Sequence, residues 1–333
     1  MRQNNIFLML LKVFFFSSIL VATSAVRAEL KVVTTIKPLH SLIANVMDGV
    51  GEPALIIEGS TSPHSFTLKP SHAKLLEEAD IIFWVGESIE TFMERPLESI
   101  VKNAEVVEFM EVESINKLKF REESIFEDHD DHDDHDDHDD HDDHDDHDDH
   151  DDHDDHSGHD HHGHAHGEFD AHIWLDPMNA KEMVHEIAHE LGDLDPANKN
   201  KYEANAQATI QALDQLVNDI EKGINKDAKF VVFHDAYQYF EERFGVRAAG
   251  ALTLNTDVLP GAKQIADIQD VIKDRGIKCI FSEPQFNPKI ITTIAEDMNI
   301  KTGVFDPLGA NIDSNKDLYF KLIQNLGNEL KGC

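Results

Sequence analysis

The sequence feature that most constrains the fold is a run of aspartate and histidine in the middle of the chain, Asp128–His166. A His-Asp-Asp triplet repeats nine times between His129 and Asp155, and the run holds 15 of the 22 histidines. Its charge and its lack of large apolar residues prevent it from forming a core. Its period of three matches neither a helix nor a strand. We therefore expect a disordered, solvated loop that divides two stretches of globular sequence.

On both sides of this loop, short apolar segments alternate with segments of helical periodicity, as is typical of a parallel α/β sheet. The predicted strands are Leu30–Ile36, Ala54–Ile57, Asp80–Gly86, Glu105–Phe109, Lys229–Phe233, Arg247–Leu254, Lys278–Phe281 and Thr302–Phe305. The predicted helices between them are Pro38–Met47, Ser71–Glu78, Ile89–Lys102, Asn179–Asp193, Ala236–Arg243, Ala262–Arg275 and Pro288–Met298. Four strands precede the loop and four follow it, which indicates two lobes.

A longer helix is predicted between the two series. Asp195 is a candidate N-cap, and Pro196 suits the first helical position. Apolar residues then recur at spacings of three and four up to Ile224, and the helix would be roughly 43 Å long. We expect an α/β fold of two four-stranded lobes joined by one long rigid helix, with a metal site in the cleft between them. The expected boundaries are residues 29–194 with loop 128–166 for the first lobe, 195–225 for the linking helix and 226–333 for the second lobe.

The first 28 residues resemble a secretory signal peptide. Arg2 gives a weak basic start, Ile6–Val21 is mainly apolar, and small residues precede Glu29. Lys12 interrupts the apolar stretch, which is too short to span a membrane. No cysteine lies near the cleavage point for lipid attachment. We therefore expect an exported monomer without a lipid anchor.

Charge and cysteine content agree with export. The 20 aspartates of the run account for much of the net charge of −36 and leave the rest of the chain at −16. This acidity argues against a nucleic-acid partner and suits a protein that meets cations. Cys279 and Cys333 could form one disulfide in an oxidising compartment, and it would stabilise the fold by roughly 4 kcal/mol. Two free thiols are the alternative.

Several polar side chains follow predicted strands, where ligands bind in open α/β sheets. His64 follows the second strand, and His234, Glu283 and Asp306 each follow a strand of the second lobe. His172 would enter the same cleft from the segment after the loop. A single histidine at a strand end is more often a core residue, but three together with two carboxylates favour a metal site. Three neutral imidazoles with a carboxylate or water form a tetrahedral zinc site.

A competing zinc motif, His185-Glu186-x-x-His189, lies on a predicted helix. In a metalloprotease the two histidines would bind zinc and Glu186 would be the general base, so an exported zinc peptidase is an alternative function. The helix, however, packs its apolar residues on one face and leaves both histidines on its polar flank. The only later methionine, Met298, is too remote for a methionine turn. We interpret the pair as surface histidines and expect no enzyme.

Seven segments together resemble the metal-binding receptors of bacterial ABC importers, and among these the zinc-uptake group. The resemblance covers nearly the whole mature chain, and its motifs fall in the right order. The segments are Ser62–Ser71, Ala79–Gly86, His172–Pro177, Asp195–Asn198, Phe233–Tyr237, Ser282–Phe286 and Asp306–Gly309. The resemblance implies a receptor that delivers Zn²⁺ to a membrane permease driven by a cytoplasmic ATPase. It also implies His64, His172 and His234 as zinc ligands. Manganese receptors carry glutamate where His234 stands.

The resemblance also implies a disulfide between Cys279 and Cys333, and it departs at one point. Some zinc receptors have an acidic residue immediately before the first histidine, whereas this chain has Pro63. A fourth ligand from that position is therefore excluded. We prefer Asp306, with Glu283 or water as the alternatives.

The histidines of the run form a second, weaker class of predicted metal ligands. Nothing in the run holds four of them in one geometry, and ordering them would cost chain entropy. We expect weak, exchangeable zinc binding near the cleft mouth. Zinc storage by the run alone is a further alternative function. These residues are His129, His132, His135, His138, His141, His144, His147, His150, His153, His156, His159, His161, His162, His164 and His166.

Overall fold

The computed structural model describes residues 29–126, 168–254, 256 and 260–333. Within these residues, eight strands form two parallel four-stranded sheets with the orders β2-β1-β3-β4 and β6-β5-β7-β8. The strands are β1 Val32–Thr34, β2 Ala54–Leu55, β3 Ile81–Trp84, β4 Glu105–Glu108, β5 Phe230–His234, β6 Ala251–Thr253, β7 Cys279–Ser282 and β8 Lys301–Val304. Both sheets place their first strand second in the order, so the two lobes repeat one topology. The predicted fold class is confirmed.

Helices cover the sheets and connect the lobes. They are α1 Lys37–Val46, α2 Pro70–Glu78, α3 Glu94–Ser99, α4 Pro177–Leu194, α5 Lys199–Gly223, α6 Gln238–Phe244, α7 Ala262–Asp274, α8 Lys289–Met298 and α9 Leu318–Leu330. The central strands β1, β3 and β5 are buried along their whole length, as their continuous apolar sequence requires. The predicted signal peptide and the histidine-rich run lie outside the described residues.

The linking helix α5 contacts elements of both lobes. It packs against α1 and α4 on one side and against α9 on the other. Its apolar stripe, including Tyr202, Leu213 and Ile220, is buried. A single helix that packs on both lobes fixes their relative position through side-chain contacts along its length.

Two helix predictions need correction, and one helix was missed. The linking helix begins at Lys199, because Asp195 and Asn198 form a turn in which the Asp195 carboxylate accepts hydrogen bonds from Asn198 Nδ2 and Tyr202 Oη. The helix predicted over Ile89–Lys102 is instead a one-turn 3-10 helix followed by the short α3. Helix α9 was not predicted, although its leucines recur at helical spacing.

The segment before the histidine-rich run crosses to the second lobe. Ile125 forms an antiparallel bridge with Gly250, and the Ala251 amide donates to Ser124 O. A side chain at position 250 would bring a Cβ atom within 2.6 Å of Ser124 O, so this approach requires glycine. After the run, Phe169 pairs with Lys119. The described residues that flank the run on each side, Ile125 and Phe169, are therefore both held in antiparallel backbone bridges.

Cys279 and Cys333 form the implied disulfide, with their Cα atoms 5.7 Å apart. The bond joins strand β7 to Cys333, three positions after the end of α9, and closes 54 positions of sequence. It therefore fastens the last helix to the second sheet.

Replacing both cysteines by serine should lower the free energy of unfolding by about 2–5 kcal/mol, since the unfolded chain regains the freedom that the cross-link removes. Urea denaturation of the oxidised protein and the double variant measures this difference, and the reduced wild-type protein serves as the control. Equal urea midpoints for the oxidised protein and the double variant would contradict a stabilising disulfide.

Candidate metal centre

Three histidines from different elements meet in the cleft. His64 lies on a one-turn 3-10 helix, Pro63–Ser65, that follows β2. His172 precedes a second one-turn helix, Ile173–Leu175, and His234 is the last residue of β5. His234 thus ends a parallel strand and His64 lies in the loop that follows one, and this topology brings side chains to one edge of a sheet.

The three imidazoles are close enough to share one ion. One ring nitrogen from each lies within 4.8 Å of the other two, and the ring centroids are 5.1–5.8 Å apart. His64 Nε2 is buried and has no hydrogen-bond partner among the described residues. Within the described part of the chain, this is the only group of three or more such side chains with metal-ligand spacing. A buried imidazole nitrogen without a partner is suited to a metal ion.

Two carboxylates orient two of the rings. Asp170 Oδ1 lies 2.7 Å from His172 Nδ1 and 3.0 Å from its backbone nitrogen. Glu283 Oε1 lies 2.6 Å from His234 Nδ1. Each carboxylate accepts the Nδ1 hydrogen and so leaves Nε2 as the nitrogen that faces the cleft. The two Nε2 atoms are 3.3 Å apart.

Asp306, which we prefer from the sequence as the fourth ligand, lies in the loop that follows β8. Its carboxylate accepts hydrogen bonds from the backbone amides of Leu308, Gly309 and Ala310 and from Gln285 Nε2. Four donors already surround its two oxygens, at 2.6–3.1 Å. Asp306 as a zinc ligand stays a prediction, and these contacts disfavour it.

Burial and neighbouring charges divide the three histidines into two kinds. Burial lowers the pKa of His64 and of His172 well below 6.5, and the neighbouring imidazoles lower both further. Burial would also lower the pKa of His234, but the charge and hydrogen bond of Glu283, with Asp235 and Asp170, outweigh it and raise that pKa. Two rings therefore stay neutral around neutral pH, while His234 holds a proton more readily.

Apolar side chains enclose the rings. The small cavity is lined by Trp174, Phe286, Pro307 and Leu308 together with the three histidines and Glu283.

The competing motif occupies a different surface. His185 and His189 are exposed on α4, while Met183, Ile187 and Leu191 are buried, as expected. His189 Nδ1 is bonded to Glu190, 2.8 Å away. The pair does not belong to the three-histidine cluster.

Sequence reasoning did not identify Asp170 or Trp174 as parts of the site. Asp170 is two residues before His172, a spacing that lets a carboxylate reach the same imidazole, and this signal was present in the sequence. Trp174 donates a 2.8 Å hydrogen bond from Nε1 to Pro307 O across the cleft. No local pattern reveals a contact between residues so far apart in sequence.

Solved structures resemble this fold over nearly its whole length. A crystal structure of ZnuA aligns with a TM-score of 0.68 at 20% identity and covers 90% of this chain and 98% of its own. The laminin binding protein of Streptococcus agalactiae, which has adhesin and metal transporting activity, aligns with a TM-score of 0.67 at 24% identity, covering 91% and 100%. The shared fold and the histidine cluster together define the class as a two-lobed α/β protein with a candidate metal centre.

Sequence comparison gives the family. A family model described as "ZnuA: Zinc-uptake complex component A periplasmic" matches residues 32–333. The high-affinity zinc uptake system protein ZnuA of Brucella abortus (strain 2308) is 51% identical over 304 residues, 91% of each chain. That of Haemophilus influenzae is 36% identical over 315 residues, 92% of this chain and 93% of its own. The chain belongs to the ZnuA family of periplasmic zinc-uptake components.

In the zinc-free protein, His234 should be the first of the three histidines to gain a proton as pH falls, with a pKa above 6.5. His64 and His172 should follow only well below 6.5. Imidazole nitrogen NMR across a pH titration measures all three. Glu283→Gln should lower the pKa of His234, because it removes the anion that stabilises the imidazolium. Asp214→Asn, on the exposed face of α5, is the control. Three histidines titrating together near 6.5 would contradict the described contacts.

Proposed function

We propose that this protein captures Zn²⁺ with His64, His172 and His234 and delivers it to the permease of an ABC importer. The observation that carries the proposal is the convergence of three imidazole nitrogens within 4.8 Å. Two of the rings are also held in one tautomer by carboxylates. The ZnuA relatives are zinc-uptake proteins, and zinc accepts three imidazoles in a tetrahedral site.

Water is the fourth ligand that best fits the contacts. Asp306 is surrounded by donors, and Glu283 already accepts the Nδ1 hydrogen of His234. Water needs no existing hydrogen bond to break, whereas Asp306 would have to give up amide donors of its own loop. Three neutral nitrogens and a water leave the ion with its full double charge, which the Asp170 and Glu283 carboxylates offset from behind the rings.

Zinc capture should displace a proton from the cluster. The Nε2 atoms of His172 and His234 are 3.3 Å apart, so a proton carried on His234 Nε2 would occupy the space between the lone pairs that zinc needs. His64 and His172 have lowered pKa values and need no deprotonation near neutral pH. His234, with its raised pKa, is the ring from which zinc must remove a proton. Release is correspondingly favoured by acid.

Residues 1–28 fit the role of an export signal, and family membership supports the periplasm as the destination. Among the described helices, none is both long and apolar enough to cross a membrane. Delivery then requires a membrane permease and a cytoplasmic ATPase as partners. The composition of the run Asp128–His166 fits a weak zinc collector.

Replacing His64, His172 or His234 by alanine should each abolish tight zinc binding, because two imidazoles cannot complete the site. Isothermal titration calorimetry against a competing chelator measures this loss. His185→Ala and His189→Ala are matched controls on the exposed face of α4 and should keep the tight site. A silent change at any of the three cluster positions would contradict the ligand set.

The same titration on a protein lacking residues 128–166 distinguishes zinc capture by the three-histidine cluster from zinc storage by the histidine-rich run. One tight site should remain, with the weaker binding lost. If all tight binding disappears with the run, zinc storage is the function and the cluster is not the principal site.

A further inference from the structure

One face of helix α1 is polar and points at the second lobe. Lys37, Ser41 and Asn45 are spaced by four residues and therefore lie on one side of the helix. Their partners in the second lobe are backbone groups of the connection between β8 and α9 and of the first turn of α9. Lys37 Nζ donates to Gly309 O at 2.7 Å, Ala310 O at 3.1 Å and Ile312 O at 2.6 Å.

The Lys37 ammonium group is fully used in this contact. The residue is only 5% exposed, and burying a charged amine is costly unless its hydrogens find acceptors. A lysine has three donors, and three carbonyl oxygens receive them. Burial lowers the pKa of Lys37, and the charges of Asp306 and Asp313 oppose that change. A residue buried at this cost is suited to holding a specific backbone conformation.

The loop that Lys37 holds is also part of the metal cavity. Asp306 collects the amides of residues 308–310 from one side, while Lys37 binds the carbonyls of residues 309, 310 and 312 from the other. Between these two anchors lie Pro307 and Leu308, which line the cavity around the three histidines. Trp174 Nε1 adds a third anchor at Pro307 O. The apolar wall over the rings is therefore fixed by polar contacts from outside it.

We propose that Lys37 is a positioning residue for zinc: by fixing loop 306–312, it keeps Pro307 and Leu308 over the three-histidine cluster and slows the escape of the bound ion. The inference rests on the proposed ligand set. Lys37 touches none of the three histidines, so its effect falls on the rate of zinc release and leaves the number of sites at one.

Further contacts join α1 to the segment between β8 and α9 without involving Lys37, and we call this boundary between the lobes the seam. Ser41 Oγ and Asn45 Nδ2 both donate to Lys316 O, and Ser41 Oγ also accepts from the Tyr319 amide. Lys316 Nζ pairs with Asp48 at 2.6 Å in an exposed ion pair. Removing Lys37 therefore loosens the loop without separating the lobes.

The test is the zinc dissociation rate of Lys37→Met, measured by stopped-flow transfer to a chelator. Methionine keeps the apolar length of the side chain and removes the three donors. We expect release to become roughly tenfold faster or more, the factor that corresponds to losing one or two net hydrogen bonds to a charged group. Lys316→Met is the matched control, since it removes another lysine of the same seam from an exposed pair, and its release rate should stay within about twofold.

If Lys37 has only a structural role, Lys37→Met will lower the thermal midpoint of unfolding and leave the zinc release rate unchanged. That result would overturn the proposal. Hydrogen exchange gives a second readout, because the Leu308, Gly309 and Ala310 amides should exchange faster in Lys37→Met while those of α5 do not. If Lys37→Met does not fold, Trp174→Phe removes the anchor at Pro307 and keeps an aromatic ring. It should also release zinc faster, and unchanged release from it would equally contradict the proposal.

Failure of this inference is distinguishable from failure of the ligand set. An unchanged release rate in Lys37→Met, with tight binding abolished in His64→Ala, rejects the positioning role alone. Tight binding that survives in His64→Ala rejects the site itself.

Discussion

Two hydrogen bonds between carboxylates and imidazoles determine what the cleft can bind. Asp170 and Glu283 each take the Nδ1 hydrogen of a buried histidine, and both Nε2 atoms are thereby directed inward. Without these bonds, buried imidazoles could choose either tautomer, and the cluster would have no defined set of lone pairs. The surrounding apolar wall increases the strength of these interactions by excluding water. A preference for a soft, imidazole-binding cation follows from this arrangement.

The fold supplies the remaining order. Two lobes of one topology place the ends of β2 and β5 opposite each other, and α5 packs on both lobes. Two charged side chains then hold the loop after β8: Asp306 accepts hydrogen bonds from its amides, and Lys37 donates to its carbonyls. Polar residues at the seam thus fix the position of Pro307 and Leu308, and the histidines direct their nitrogen lone pairs into the cleft.

Much of this could be predicted from the sequence, because the relevant signals are local. Apolar runs and helical periodicity marked the strands and most helices, and the rule that ligands bind beyond strand ends located His64 and His234. Contacts between distant residues could not be predicted in this way. Asp195 turned toward Tyr202 and Asn198 in place of capping a helix. Lys37 and Gly309 are 272 positions apart. Asp306 was predicted as a ligand because it follows a strand, and the structure adds that its oxygens accept hydrogen bonds from amides of its own loop.

The central claim is that three imidazoles hold the tightly bound ion. Zinc K-edge X-ray absorption on the intact protein with one equivalent of Zn²⁺ tests it most directly. The account predicts three imidazole nitrogens at about 2.0–2.1 Å and one oxygen that is not a protein carboxylate. The same spectrum should be obtained from Asp306→Asn. A spectrum with fewer than three imidazoles in the first coordination sphere would contradict the account.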